Sequence, residues 1–129
     1  MRKIVIANQK GGVAKTTTAV NLATGLGRVG KSTLLIDMDP QANATFAVLG
    51  DEPEGNSTYD LIIHGVPLSQ VIVRTKRPNL DILPSNIDLA AAEVELISKV
   101  GGQIRLRGKL GEAAINMGYE FIIIDAPPS

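Results

Sequence analysis

Residues 10–17, which read KGGVAKTT, combine glycine, lysine and threonine in an order that suits the binding of phosphate. When such a turn joins a strand to a helix, its backbone N–H groups converge on an anion, and the helix N-terminus adds a partial positive charge. A lysine at the end of the turn reaches the β- and γ-phosphates of a nucleotide, and the hydroxyl group after it ligates magnesium. In this sequence those two positions are Lys15 and Thr16.

The spacing departs from the common phosphate-loop pattern G-x-x-x-x-G-K-[ST], because Gln9 and Ala14 occupy the two glycine positions. The pattern that fits is K-G-G-x-x-K-[ST]-[ST], which carries an additional, earlier lysine at Lys10. If the backbone at Ala14 needs an unusual φ, its methyl group crowds the phosphates, and nucleotide affinity or turnover suffers.

Two aspartates follow apolar runs further along the chain. Asp37 ends the run STLLID, and Asp125 ends the run YEFIIID. Because an open α/β sheet binds ligands at the carboxyl ends of its strands, we expect both carboxylates beside the phosphate loop. Magnesium keeps several waters and usually takes only one or two carboxylates, so a sparse acidic site of this kind is sufficient.

The elements that must position these groups are predicted from the apolar pattern. Strands are expected at residues 4–7, 32–37, 80–83 and 119–125. Helices are expected at residues 19–29, 57–64, 85–97 and 103–117, with Gly30 ending the first of them and Ser85 opening the third. The run MDPQANAT after the second strand is expected to be an acidic loop. Continuously apolar strands separated by helices predict an α/β fold with a mainly parallel sheet covered on both faces.

The composition narrows the class of protein. A chain of 129 residues with 44% hydrophobic content fits one compact domain. Cysteine is absent, which excludes disulfides, thiolate metal sites and cysteine-held iron–sulfur clusters. The formal net charge of zero provides no global basic field for nucleic acid. No apolar run reaches the roughly 18 residues of a membrane span, and no signal peptide is evident, so a cytoplasmic location is expected.

The phosphate motif, the run LLIDMDPQANAT and the closing FIIIDAPPS resemble, in order and spacing, the ParA/MinD family of deviant Walker-type P-loop ATPases. The run DPQANAT is similar to that of the ParA (Soj-like) chromosome and plasmid partitioning proteins rather than to that of MinD. The resemblance implies a three-layer P-loop NTPase fold truncated after the Walker B strand. Because members of the family are longer, residues 1–129 are interpreted as the N-terminal half of a ParA-type ATPase domain.

The resemblance implies roles for the residues of the phosphate motif. Lys15 matches the lysine on the β- and γ-phosphates, Thr16 matches the magnesium ligand, and Thr17 matches a further phosphate contact. Lys10 matches the signature lysine that reaches across an ATP-sandwich dimer to the partner's nucleotide, which would couple hydrolysis to dimerisation. The remaining residues of the cradle are Gly11, Gly12, Val13 and Ala14.

The resemblance also implies roles for the aspartates. Asp39 matches the carboxylate that orients the attacking water, although its place before Pro40 also suits a turn-former. Asp37 matches an acidic residue near the magnesium hydration shell, and Asp125 matches the Walker B aspartate. The catalytic set is therefore Lys10, Lys15 and Asp39, and the metal set is Thr16, Asp37 and Asp125.

The activity that the resemblance implies is Mg²⁺-dependent hydrolysis of ATP to ADP and phosphate. An ATP-driven homodimer would bind nonspecific DNA, associate with the nucleoid and be stimulated by a ParB-type DNA-binding protein, with no membrane anchor visible. Two alternatives stay open. The same machinery could position another cargo, or Ala14 and truncation could leave a catalytically inert nucleotide-binding module.

Ala42, where relatives usually carry glycine, is expected to stiffen the loop that moves during hydrolysis.

Overall fold

The computed structural model describes residues 2–6, 12–39, 41–50, 57–86, 112–114 and 116–125. The strands within these ranges are β1 (Arg2–Ile6), β2 (Thr33–Asp37), β3 (Val73–Arg74), β4 (Leu80–Leu83) and β5 (Phe121–Asp125). They form one sheet in the order β1-β5-β2-β4-β3. All neighbouring strands are parallel except β3, which runs antiparallel to β4.

The helices of the described ranges cover both faces of the sheet. They are α1 (Gly12–Arg28), α2 (Asn43–Leu49), α3 (Thr58–His64) and α4 (Leu68–Val71). Leu35 and Ile123 pack against α1 and α2 on one face. Leu34 and Ile122 pack with α4 on the other face, where α3 adds partly buried contacts. Because successive strand residues point to opposite faces, strands covered on both sides are apolar throughout. The predicted three-layer α/β fold is confirmed.

Most of the predicted strands and the first helix are found close to their predicted bounds. β4 coincides with the expected strand at residues 80–83, and β1, β2 and β5 begin or end within a few residues of theirs. α1 begins earlier than expected, at Gly12, and so takes in part of the phosphate motif. It ends at Arg28, and Gly30 follows with a φ of +88°, the left-handed conformation that favours glycine after a helix.

Three elements differ from the sequence analysis. The prediction of an acidic loop over MDPQANAT is wrong in its second half, because α2 begins at Asn43. β3 and α4 were not predicted, because elements this short show too little hydrophobic periodicity to be recognised in a sequence. The expected helix at residues 85–97 lies outside the described residues except for 85 and 86, and of the helix at 103–117 the structure describes 112–114, 116 and 117.

The short helix α3 has a well-formed start and end. Its N-cap residue Ser57 accepts a hydrogen bond from the Tyr59 amide, and the carboxylate of Asp60 accepts one from the Ser57 amide at 2.8 Å. Gly65 ends the helix in the left-handed conformation that favours glycine. This reciprocal capping satisfies backbone donors at the helix start and fixes where α3 begins.

The C-terminal half of α1 is fastened to the turn between β3 and β4. Arg77 donates hydrogen bonds from Nη1 to Thr24 Oγ1 at 2.7 Å and from Nη2 to the Ala47 carbonyl at 3.1 Å, so it joins α1 to α2. Asn79 Nδ2 donates to the Gly27 carbonyl at 3.0 Å. Gly27 has no room for a side chain, because an added Cβ would overlap the carbonyl oxygen of Pro78 and lie 3.3 Å from its carbonyl carbon.

Candidate functional site

The ends of three adjacent strands bring the predicted site residues together. In the sheet register Ile6, the last residue of β1, pairs with Asp125 of β5, and Asp125 pairs with Asp37 of β2. α1, which contains the described part of the phosphate motif, is the next element after β1 in the described residues. The Met38 amide donates to the Asp125 carbonyl at 2.9 Å, which carries the alignment of β2 and β5 one residue beyond Asp37.

The first observed contact within the site joins α1 to β5. Thr16 Oγ1 donates a hydrogen bond to Asp125 Oδ2 at 3.0 Å, across 109 residues of sequence. Both side chains are buried, Thr16 with 6% and Asp125 with 0% of its surface exposed. A hydroxyl group in contact with a carboxylate supplies the hard oxygen ligands that Mg²⁺ prefers. The residues present therefore fit a magnesium ion.

The number of carboxylates is small. The part of the chain that the structure describes contains no group of three or more His, Cys, Asp or Glu side chains arranged to hold a metal ion by themselves. Where magnesium binds beside a nucleotide, phosphate oxygens and waters complete the octahedron, so Thr16 and Asp125 need supply only part of it.

Asp37 is fully buried and both of its carboxylate oxygens accept hydrogen bonds. Oδ1 accepts from the Asp39 amide at 3.0 Å, whereas Oδ2 accepts from the amide of Thr45 at 2.9 Å and from its hydroxyl at 2.7 Å. The N-cap residue of α2 is Ala42, which has no side-chain acceptor, so the distant Asp37 carboxylate takes that place for α2.

Burial raises the pKa of the Asp37 carboxyl group to about 7. The hydrogen bonds from Thr45 and from the Asp39 amide lower it, and the charge of Asp125 raises it further. The net shift of the pKa is upward because the buried carboxylate loses more hydration energy than its three hydrogen bonds replace. A bound cation would favour the charged form and reverse the direction of this shift.

Asp39 is nearly buried, with 3% of its surface exposed, and it begins a turn. Its Oδ1 accepts from the Gln41 amide at 3.0 Å, the pattern of an Asx-turn. Its carbonyl oxygen accepts from the Ala42 amide at 2.9 Å and from Ser85 Oγ at 2.7 Å. The turn-forming interpretation is thus part of the geometry, and the assignment of Asp39 to the attacking water stays a prediction.

The remaining predicted residues lie at or before the start of α1. The backbone of Gly12, Val13, Ala14 and Lys15 forms the first turn of the helix, and Thr17 is exposed in the next turn. Ala14 has a right-handed helical backbone, so the unusual φ on which its expected penalty depended is not present there. Lys10 and Gly11 lie outside the described residues.

Three polar residues of the site were missed by the sequence analysis. Thr45, Thr58 and Ser85 are all buried and all contact the segment from Asp37 to Asp39. Ser85 was interpreted only as the start of a helix. The sequence offers no periodic signal for this grouping, because it depends on how α2, α3 and the end of β4 meet in space.

A cavity of about 340 Å³ lies at the opposite end of the sheet. Ser32, Arg74, Asn79 and Asp81 are among the residues that line it, and Ser32 directly precedes β2. It is therefore remote from Thr16, Asp37 and Asp125 at the carboxyl ends of the strands. We assign the candidate site from the contacts of those three residues rather than from the position of this cavity.

Comparisons with known proteins agree with this geometry. A family model described as an AAA domain matches residues 1–129. The chain is 44% identical over 128 residues to the sporulation initiation inhibitor protein Soj of Bacillus subtilis, covering 98% of this chain and 49% of Soj. It is 41% identical over 130 residues to the chromosome partitioning protein ParA of Caulobacter vibrioides, covering 100% of this chain and 49% of ParA. The chain thus spans about half the length of the curated relatives it matches.

A solved structure is similar over the whole chain. Cobyrinic acid a,c-diamide synthase from Mycobacterium smegmatis, crystallised with bound ADP and magnesium, superposes with a TM-score of 0.86 at 38% identity. The match covers 100% of this chain and 52% of the synthase. Each helix in the described part of the chain is too short or too polar to span a lipid bilayer. The predicted family is confirmed: the chain belongs to the AAA-domain family, and within it to the ParA/MinD type of P-loop ATPase.

Proposed function

We propose that this chain forms the nucleotide-binding half of a magnesium-dependent ATPase that acts in chromosome or plasmid partitioning. The observation that carries the proposal is the buried contact between Thr16 Oγ1 and Asp125 Oδ2 at 3.0 Å. It joins the start of α1, which contains part of the phosphate motif, to the end of β5, where Asp37 is the next neighbour. The chromosome-partitioning names of similar proteins support the cellular role.

Each residue of the site has a defined task in this proposal. The backbone from Gly11 to Ala14 cradles the phosphates, with Lys15 and Thr17 as further phosphate contacts. Thr16 and Asp125 hold Mg²⁺, with Asp37 beside its hydration shell. When bound, the ion neutralises charge that develops on the β- and γ-phosphate oxygens. Asp39 holds the attacking water in line with the γ-phosphate, within a turn fixed by its own backbone contacts.

The dimer and its partners belong to the same proposal. Lys10 supplies positive charge to the partner subunit's nucleotide, as an arginine finger does in other NTPases. Hydrolysis then depends on dimerisation. The ATP-bound dimer associates with nonspecific DNA of the nucleoid in the cytoplasm. A ParB-type protein then stimulates ATP turnover and ends this association. We expect Lys10→Ala to keep nucleotide binding and to lose ATP-driven dimerisation in sedimentation velocity.

The first test is a titration of the purified chain with ATP and ADP, with and without Mg²⁺. Lys15→Ala is compared with Lys31→Ala, which removes a lysine that is 52% exposed and lies 3.9 Å from Glu120 at the far end of the sheet. We expect magnesium-dependent binding that weakens by at least about tenfold in Lys15→Ala, as the loss of a charge-assisted phosphate contact implies. Equal affinities of the two variants would contradict the proposed phosphate site.

The second test separates binding from chemistry. Asp39→Ala is expected to bind Mg²⁺–ATP with unchanged affinity and to lose turnover, because the carboxylate acts on water rather than on the nucleotide. Hydrolysis at the rate of the unchanged chain would remove this role for Asp39. Retention of the ATP-bound chain on DNA of unrelated sequences then tests the proposed association with the nucleoid, and its absence would contradict that part of the proposal.

A further inference from the structure

Two buried hydroxyl groups connect α2 and the end of β4 to the segment from Asp37 to Asp39. Thr45 Oγ1 donates to Asp37 Oδ2 at 2.7 Å and accepts from the Ser85 amide at 2.9 Å. Ser85 Oγ donates to the Asp39 carbonyl at 2.7 Å. We call this set of contacts the Thr45–Ser85 bridge.

In the ionised form of Asp37, which a bound cation favours, the direction of each hydrogen bond in the bridge is fixed. A hydroxyl group has a single proton to donate, and carboxylate and carbonyl oxygens only accept. The proton of Thr45 therefore goes to Asp37, which leaves a lone pair of Thr45 Oγ1 for the Ser85 amide. The proton of Ser85 goes to Asp39. Thr45 and Ser85 each have 0% of their surface exposed, so water does not replace a lost partner without cost.

The bridge holds Asp39 at both of its backbone polar groups. The Asp39 amide donates to Asp37 Oδ1 at 3.0 Å, and its carbonyl accepts from Ser85. A residue fixed on both sides has a defined direction for its side chain, and the Gln41 amide at 3.0 Å then fixes the carboxylate through Oδ1. Thr45 thereby controls Asp39 from two directions, through Asp37 and through Ser85.

A neighbouring contact keeps the same segment in place from the side of α3. Thr58 Oγ1 lies 3.0 Å from the Asp37 carbonyl and 2.9 Å from the Pro84 carbonyl, and the Thr58 amide donates to the Pro84 carbonyl at 2.8 Å. Pro84 directly precedes Ser85. The end of β4 is therefore held by α3 while it holds Asp39.

We infer that Thr45 and Ser85 are positioning residues for Asp39: the bridge fixes the direction of its carboxylate toward the water that attacks ATP. The inference rests on the proposed ATPase function and adds to it two residues that no phosphate or metal contact would identify. Loss of the bridge should lower the rate of the chemical step and leave nucleotide affinity unchanged, because neither hydroxyl belongs to the phosphate cradle.

The bridge itself is tested without nucleotide, by amide hydrogen exchange on the full chain. In Thr45→Val the Ser85 amide loses its acceptor and is expected to exchange about tenfold faster, the effect of removing one hydrogen bond of ordinary net strength. Amides of β2 and β5 should keep their protection, because the ladder between those strands is untouched. An unchanged exchange rate at the Ser85 amide would show that its hydrogen bond to Thr45 does not hold, independently of any ATPase activity.

The positioning role is tested by steady-state ATP hydrolysis with Mg²⁺. Thr45→Val and Ser85→Ala are expected to lower kcat by about 10- to 100-fold, the usual effect of losing a partner that orients a functional group, with KM for ATP unchanged. Thr45→Ser retains the hydroxyl and should restore most of the rate. The matched control is Thr33→Val, which removes an equally buried hydroxyl that donates to the Lys31 carbonyl at 2.9 Å at the other end of β2.

The outcomes separate this inference from the proposed function. If the unchanged chain hydrolyses ATP and Thr45→Val does so at the same rate, the positioning role is wrong and the ATPase function stands. A decrease in kcat of the same size in Thr33→Val would also overturn it, because the effect would then be one of general stability. If the unchanged chain neither binds nor hydrolyses Mg²⁺–ATP, the proposed function fails, and the positioning role fails with it.

Discussion

Gly25 and Gly27 of α1 provide a matched pair for testing how the helix that carries Thr16 is packed. An added Cβ at Gly25 meets no atom within 4 Å, whereas one at Gly27 would overlap the Pro78 carbonyl. Replacing glycine by alanine inside a helix ordinarily stabilises it by about 1 kcal/mol. We therefore expect Gly25→Ala to raise the free energy of unfolding by about that amount.

At Gly27 the same gain is opposed by two costs. Overlap in a packed region costs about 1–3 kcal/mol, and displacing the turn also weakens the Asn79 hydrogen bond to the Gly27 carbonyl, worth about 1 kcal/mol. The expected net effect of Gly27→Ala is a destabilisation of about 1–3 kcal/mol, so the two variants should differ by about 2–4 kcal/mol. Urea unfolding followed by circular dichroism measures this difference, provided that the m-value is unchanged. A Gly27→Ala chain as stable as Gly25→Ala would refute the packing described for α1 and the turn at residues 76–79.

Two further predictions concern the segment between β2 and α2. Ala42 has a φ of +59°, so Ala42→Gly should relieve left-handed backbone strain. After the entropy cost of glycine is subtracted, we expect the folded chain to be stabilised by about 0.5–1 kcal/mol. The control is Ala47→Gly on the exposed face of α2, which should destabilise the chain by about 1 kcal/mol in the same unfolding assay. A stabilisation by neither or by both would contradict the backbone assigned to Ala42. The second prediction concerns pH: because the folded-state pKa of Asp37 is about 7, the folded chain holds this proton more tightly than the unfolded chain does. The free energy of unfolding without nucleotide should therefore fall between about pH 4 and pH 7, by at most about 1.4 kcal/mol per pH unit from this group. Asp37→Asn should remove that contribution, and identical pH profiles for the two chains would exclude it.

The parts of the fold that the sequence predicted are those with a local signal. β4 was predicted at its observed bounds because three of its four residues are apolar and polar turns flank it. The neighbouring positions of Asp37 and Asp125 followed from strand ends meeting at one edge of the sheet. α2 was missed for a physical reason. Its N-cap is Ala42, which gives no capping signal, and the acceptor that replaces a cap side chain is Asp37 in a different element.

The parts of the site that could not be predicted depend on contacts distant in sequence. Thr45 and Ser85 are separated by 40 residues and meet because α2 begins and β4 ends near Asp37. A threonine or serine in isolation has many ordinary places in a fold, so neither residue type points to this role. The phosphate motif was recognisable from its own spacing, whereas the groups that hold Asp39 were not.

The position of β5 between β1 and β2 bears on how the chain is made. The two strands that leave the ribosome first are not neighbours in the finished sheet, because each pairs with residues 121–125. Until residues 121–125 are synthesised, Leu34, Leu35 and Ile36 lack the strand that pairs with β2 on that side. Pairing across such long separations in sequence is slow, so a nascent chain exposes apolar edges of β1 and β2 until residues 121–125 have been made. We expect this protein to need a chaperone during synthesis more than a protein whose early strands pair with each other.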